Sequence, residues 1–511
     1  MPRTRKNPQQ FFAEALKEAR LIARDGIVKS SDLERKFREK LIAEACLTEI
    51  IKGWYLLTPP GGEGESCAWF GGFWPFLKYY LSERFGKAGF CLSAESSLHV
   101  HAGNTAIPKQ IIVLTKKASN KSINLPHHTS ILLLLDVKNF PADTEEWNGV
   151  KIMSLPSALC RLAPIYFQKN PRNIEIVLKI SSLSVAEITR NILHTGAIAS
   201  AERIIGAYRH LGEEAKSKQI QEDLITAGYQ LREVNPFIAY EPKLGSTLST
   251  SPYAGRIRMM WHSMRDEVLH VMPASPGMRG DVQNALKSIQ ERYREDAYHS
   301  LSIEGYQVTE ELIGKIESGE WDPENVAADR RQKDALAAKG YQAAFKAVLQ
   351  SIRRVLDGDK AGKVFEEDLQ TWYRQLFAPL LKANILSAEN LVGYRNQPVY
   401  ISGSRHIPPP RNAVPDCMEA LFDLLKEEQH AAVRAVLGHF IFVFIHPYMD
   451  GNGRIGRFLL NLMLVSGGFS WAVIKAEKRD AYMTSLEKAS TEEEIKPFAE
   501  FIKKYLGAVT K

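Results

Sequence analysis

The chain has 511 residues, 45% hydrophobic, 24% charged and 9% aromatic. That is enough for about two to four packed domains, and it excludes collagen-like, disulfide-scaffold and wholly disordered classes. Five scattered cysteines (Cys46, Cys67, Cys91, Cys160, Cys417), none in a CxxC pair, exclude a disulfide framework and a cysteine-built zinc site. The net charge of +7 permits a polyanion partner without requiring one.

The opening MPRTRKNPQQ is basic, but the charged FFAEALKEARLIARDG after it is an amphipathic helix and not a signal peptide. TSILLLLDV near 130 and FIFVFI at 440–445 fall short of the roughly 18 apolar residues of a membrane span and suit buried core. These features predict a cytoplasmic protein with no membrane partner.

The first region, 1–95, opens with Phe11, Phe12, Ala15, Leu16, Ala19 and Ile22 at helical spacing. A second helix is expected after Ser30-Ser31-Asp32, with Glu34 completing a capping box on Ser31. A third is expected at 40–52, followed by a strand, Gly53-Trp54-Tyr55-Leu56-Leu57, and the turn Pro59-Pro60-Gly61-Gly62. This is the order of a winged helix-turn-helix. Residues 1–60 hold twelve Lys/Arg against eight Asp/Glu, a difference of +4, with Arg3, Arg5 and Lys6 in the tail. Such a balance suits phosphate contact. A small helical core with a solvated face accounts for the same pattern.

The second region, 96–240, alternates short strands (111–115, 130–137, 151–155) with helical stretches and predicts a small mixed α/β domain. It offers no phosphate loop, metal cluster or catalytic triad. A linker rich in Ser, Thr, Pro and Gly is expected at 241–254, and a strongly helical third region at 255–511.

The third region carries the chemistry, in IHPYMDGNGRIGR at 445–457. A buried helix ends at His446 because Pro447 cannot continue it, and a second helix opens near Gly453. A glycine-containing loop feeding a helix N-terminus is an anion site. Arg454 and Arg457, three apart, share a face of that first turn. Asp450 suits Mg²⁺ carried with a nucleotide, and His446 can take a proton from a hydroxyl. The loop is not a Walker A, since GxxxxGK[ST] is absent.

This segment closely resembles the Fic motif, HPFx(D/E)GNGRxxR, with Tyr448 in place of the usual Phe. The resemblance extends over roughly 255–511 and implies a multidomain protein. Its C-terminal half would be an all-α Fic fold with a β-hairpin flap, fused to the N-terminal winged helix-turn-helix and small α/β domain. YRNQPVYISGSRHIPPP at 394–410 resembles that flap, where Val399, Tyr400 and Ile401 would dock a target segment as an added strand. SLSIEG at 300–305 fits the inhibitory pattern (S/T)xxxE(G/N), through Ser300, Glu304 and Gly305, on an expected helix at 297–306. The class with this pattern N-terminal to the catalytic core pairs the glutamate, here Glu304, with the second motif arginine, here Arg457. After the motif, RDAYMTSLEKAS at 479–490 resembles an adenine-contacting segment, with Tyr482 beside the base and Ser490 where many relatives have Asn.

The family resemblance implies transfer of AMP from ATP to a Ser, Thr or Tyr hydroxyl of a protein, itself included, with pyrophosphate released. His446 would be the base and Asp450 the Mg²⁺ ligand. Asn452 with the amides of Gly451 and Gly453 would hold the α-phosphate, Arg454 the β-phosphate and Arg457 the γ-phosphate. Removal of AMP is a secondary activity of this class, and dimerisation is a family habit.

The N-terminal half resembles AbiEi-type antitoxins and regulators, through ARDGIVKSSDL, IIKGWYLLTPPG and GFCLSAESSLHVHAG. That implies DNA binding through the helix at 40–52, with Lys40 and Lys52 at its ends. Two alternatives stand beside the AMP transferase: a DNA-binding regulator whose Fic half senses nucleotide, and a Fic transferase using another donor.

Overall fold

The computed structural model describes residues 7–58, 66–117, 120–180, 183–245, 251–277, 281–318 and 329–506. Arg3, Arg5, Lys6 and the turn expected at Pro59–Gly62 lie outside them. The chain divides into two compact units: Met1–Pro252 with Tyr400–Ile407, and Tyr253–Val399 with Pro408–Lys511.

The first unit begins with α1 (Pro8–Ile22), β1 (Ile27–Lys29), α2 (Arg35–Ala43), β2 (Leu47–Ile51) and β3 (Trp54–Leu57). The strands form an antiparallel sheet in the order β1-β3-β2. Asn7 caps α1, its side chain accepting from the Gln9 N–H at 3.1 Å. The helix expected at 40–52 does not form. Ala45 takes a left-handed φ of 53°, which ends α2. The β-branched Thr48 and Ile51 then pair as strand with β3, the register shifting at Ile50 between them. The capping box on Ser31 is also absent, because α2 starts later, with Glu34 at its N-cap and no side-chain cap bond. Two helices and a three-stranded sheet therefore stand where three helices were expected.

After α3 (Ser66–Phe85) come β4 (Phe90–Leu92), α4 (Ala94–His101), β5 (Gln110–Thr115), β6 (Lys121–Leu125) and β7 (Thr129–Leu135). A mixed sheet in the order β4-β5-β7-β6 results, with β5 and β7 parallel. Alternate residues Ile111 and Val113, and Ile131 and Leu133, point to one side and are buried with Phe73, Phe76 and Leu77 of α3. A hairpin of β8 (Thr144–Trp147) and β9 (Val150–Met153) closes the strands. Six helices follow: α5 (Leu155–Arg161), α6 (Pro164–Lys169), α7 (Pro171–Ile180), α8 (Val185–Thr195), α9 (Ile198–His210) and α10 (Glu214–Thr226).

The second unit is helical. Its elements are α11 (Pro252–Val271), α12 (Val282–Glu291), α13 (Tyr293–Ile303), α14 (Glu310–Ser318), α15 (Asp329–Leu356), α16 (Ala361–Lys382), α17 (Val414–Glu427), α18 (Ala431–Ile445), α19 (Asn452–Val465), α20 (Arg479–Glu492) and α21 (Lys496–Lys503). One hydrophobic core joins them, from Ala254 to Ile502. At its centre α18 is apolar on nearly every face, and residues such as Val436, Phe440 and Phe442 are wholly buried. Each such side chain contributes roughly 1.5–3 kcal/mol by leaving water. That rigid packing fixes the end of α18 and the start of α19, where the motif lies.

The hairpin flap expected at 394–410 is not formed. The described residues there contain turns and a single antiparallel bridge, between His406 and Ala106, inside the first unit. Pro398, Pro408, Pro409 and Pro410 have no N–H for a ladder. Guanidinium groups take carbonyls in its place: Arg411 donates to Asn396 O at 2.9 Å and Arg395 to Gln397 O at 3.2 Å.

Candidate active site at the start of α19

His446 caps α18 with a left-handed φ of 52°, its N–H donating to Phe442 O at 3.0 Å. This conformation is costly for a residue with a Cβ, and here it turns the chain abruptly into the loop. The imidazole Nδ1 lies 3.1 Å from Val443 O, which makes Nδ1 the protonated nitrogen and leaves Nε2 as acceptor. Burial pushes the histidine pKa down, aided by the nearby Arg395 charge and opposed by Glu304 and Asp450. The half-buried ring is therefore a neutral base at pH 7.

The loop is braced from within. Asn452 Oδ1 accepts from the Tyr448 N–H at 3.0 Å, and its Nδ2 donates to Tyr448 O at 2.8 Å. Both polar ends of Asn452 are thus engaged in the loop, so its part is to fix the loop's shape. Tyr448 is buried and stacks on Tyr373 with centroids 3.8 Å apart. Its extra hydroxyl faces Gln370 Oε1 at 3.5 Å, so the departure from Phe is absorbed by the core. Gly451, at φ 84°, forms the N-cap of α19 and donates its N–H to Asp450 Oδ1 at 2.6 Å. Beyond it the first N–H groups of α19 have no intrahelical acceptor, which with the helix dipole favours an anion.

Two arginines arm this turn. Arg454 is fully buried between the rings of Tyr306 and Phe377, at 5.1 and 5.2 Å. It pairs with Asp450 at 3.2 Å, yet its Nε, Nη1 and Nη2 have no hydrogen-bond partner among the described residues. Arg457, 4% exposed, is fully engaged on one side. Its Nε donates to Ser300 Oγ at 2.9 Å, and Nη2 donates to Ser300 O at 2.9 Å and Glu304 Oε1 at 2.8 Å. Burial works against this charge, but Glu304, together with Tyr482 and Tyr341, offsets it and raises the pKa.

Glu304 is the C-cap of α13, and Gly305 follows at φ 85°. The carboxylate lies over the first turn of α19: a Cβ added to Gly453 would meet Glu304 Oε1 at 2.2 Å. Only glycine at 453 admits the carboxylate there. The same turn delivers Tyr306 to Arg454, a partner the sequence reading missed although it lies two residues past Glu304. Phe377 and Arg395 were also missed, because each comes from a distant segment.

Tyr482, expected beside a base, is 2% exposed and packs against Phe498 and Phe501, with its hydroxyl 2.7 Å from His439 Nε2. It is a core residue backing Arg457. Val399 belongs to the second unit, whereas Tyr400 and Ile401 belong to the first, where the Tyr400 ring covers Gly71. Lys40 sits in the last turn of α2, paired with Glu44, and Lys52 in the turn after β2. Arg35 and Lys36 pair with Glu39 and Glu34. The basic side chains of Lys40, Arg35 and Lys36 thus stand beside carboxylates.

Among the described residues no cluster of three or more His, Cys, Asp or Glu could hold a metal, and no helix is long and apolar enough to cross a membrane. A Mg²⁺ ion shared with nucleotide phosphates needs only one or two carboxylates. Asp450, with a side chain 60% exposed at the loop, offers the hard oxygen such an ion takes.

Parts of the chain are similar to known proteins. Residues 363–464 match the Fic/DOC family. The chain is 25% identical over 289 residues to protein adenylyltransferase Fic of Culex quinquefasciatus, covering 55% of this chain and 53% of that one. It is 35% identical over 99 residues to a probable protein adenylyltransferase of Aquifex aeolicus, covering 19% and 30%. The chain thus spans about half or less of the length of these relatives. A solved structure of Fic-1 from C. elegans aligns at 18% identity and a TM-score of 0.36, covering 66% of this chain and 89% of that one.

Proposed function

We propose that this protein transfers AMP from ATP to a hydroxyl side chain of a protein, and that Glu304 restrains the reaction. The observation that carries the reading is Arg454: a buried guanidinium, its N–H groups without acceptors among the described residues, at a helix N-terminus four residues from an acidic loop residue. Such a group is completed by an anion rich in oxygen.

In this reading the attacking hydroxyl gives its proton to His446 Nε2 as its oxygen bonds to the α-phosphorus. The bond from that phosphorus to the bridging oxygen breaks, and pyrophosphate leaves. Arg454 binds the β-phosphate and the first amides of α19 take charge developing at the α-phosphate. Arg457 is the partner of the γ-phosphate once Glu304 withdraws. Asp450 would hold Mg²⁺, whose chemistry here is to neutralise phosphate charge.

Restraint follows from the same contacts. With Glu304 on Arg457, a γ-phosphate meets a carboxylate where it needs a cation. ATP is then held with its α-phosphorus out of line.

The test uses ATP labelled at the α- or at the γ-phosphate, incubated with the protein and Mg²⁺. Label on protein from the α-position alone supports AMP transfer. Label from the γ-position makes the protein a kinase, and label from neither leaves the site as a nucleotide sensor. A stronger signal from α-labelled UTP or GTP would change the donor and keep the mechanism.

A further inference from the structure

Arg395 lies in the loop after α16 and is 5% exposed. Its backbone N–H donates to Pro447 O at 2.8 Å and its Nε to His446 O at 2.8 Å. Nη1 donates to Gln397 O at 3.2 Å, and Nη2 to Pro409 O. Each of these acceptors is a backbone carbonyl. They belong to three separate stretches of the second unit, and the guanidinium donates to a carbonyl of each.

The position has a physical logic. The His446 and Pro447 carbonyls lie just past the end of α18, where the helix dipole is negative, and both accept from Arg395. His446 is left-handed and Pro447 follows, so the chain cannot relieve those carbonyls with further helical bonds. A lysine could supply the charge. It could not direct three N–H groups to three carbonyls in one plane.

We propose that Arg395 is a positioning residue for the base: it fixes the His446–Pro447 main chain, and with it the aim of the imidazole. The same guanidinium holds Gln397 and Pro409, so two points of the second unit's own chain and the base are set by one group. The proposal rests on the AMP-transfer reading for its kinetic consequence and on the geometry alone for its structural one. A misplacement of the base by about 1 Å costs on the order of 10²-fold in rate, while the phosphate-holding groups of α19 are untouched.

The experiment compares full-length wild type with Arg395→Lys, Arg395→Gln and Arg411→Ala. Arg411 also fastens this loop, at Asn396 O, but does not reach His446. Two readouts are taken: kcat and KM for AMP transfer from MgATP, and amide hydrogen exchange of a peptide spanning 443–449. Two Arg395 variants are used so that whichever folds carries the test.

The expected result is a kcat lower by about 10²-fold, a KM for ATP within about twofold of wild type, and faster exchange at 443–449 in the Arg395 variants only. Wild-type kcat in Arg395→Lys, equal losses in Arg411→Ala, or unchanged exchange at 443–449 would each overturn the proposal. If the wild type transfers no AMP, the functional reading fails by itself and the exchange data still decide whether Arg395 holds His446.

Discussion

His446 is asked to accept a proton, and its surroundings set the pH at which it can. Only the neutral imidazole is a base, and burial with the Arg395 charge lowers its pKa. The acid limb of kcat/KM should therefore lie below the ordinary histidine value of about 6.5, with full activity at neutral pH. A limb above that value in the pH–rate profile would remove His446 from the role. Arg454 makes the complementary case. Asp450 and two rings steady its charge, but its N–H groups have no hydrogen-bond partner among the described residues, and a ligand anion supplies one. Arg454→Met should leave stability without nucleotide equal or higher, by up to about 4 kcal/mol, and should abolish the rise in Tm that MgATP gives the wild type. A variant that loses stability and still responds to MgATP would contradict this account.

At the scale of elements, the site is the junction of two helices and a third that overlies them. α19 can begin where it does because Gly451 accepts φ 84° with its α-carbon against α16. An added Cβ would lie 2.9 Å from Phe377 and 3.1 Å from Leu376. Gly451→Ala should thus cost about 1–3 kcal/mol in denaturant unfolding and weaken nucleotide binding with it; wild-type stability would show that the start of α19 is not strained. This junction was legible in the sequence because its signals are local: Pro447 stops a helix, two glycines shape a loop, and two arginines share a turn. The N-terminal helices were less legible. Residues 40–52 have apolar spacing that suits a helix, and only the pairing of β2 with a strand beyond the turn at Gly53 decides otherwise. The flap was misread for the same reason, since nothing local reveals that Arg395 and Arg411 claim its carbonyls. Tyr306 and Phe377 became partners of Arg454 only through packing of α13 and α16 around α19.

For the whole molecule, the units have separate cores: the first holds a cluster around α3 and its sheets and another around α1 and α2, the second one around α18. Separate cores predict that calorimetric unfolding departs from a single two-state transition, with a calorimetric enthalpy larger than the van't Hoff value. Equal enthalpies would mean that the units unfold as one. His446, Arg454, Arg457 and Glu304 all belong to the second unit. In the proposed reaction, restraint is then a property of that unit's own charges, set by one carboxylate. The decisive measurement is the rate of label transfer from α-labelled ATP by the full chain carrying Glu304→Gly, against wild type and against Glu304→Gly combined with His446→Ala. The account predicts a higher rate than wild type for the first variant and a loss of about 10²–10⁴-fold when His446 is also removed. A Glu304→Gly protein no faster than wild type, or a double variant as fast as the single one, would contradict it.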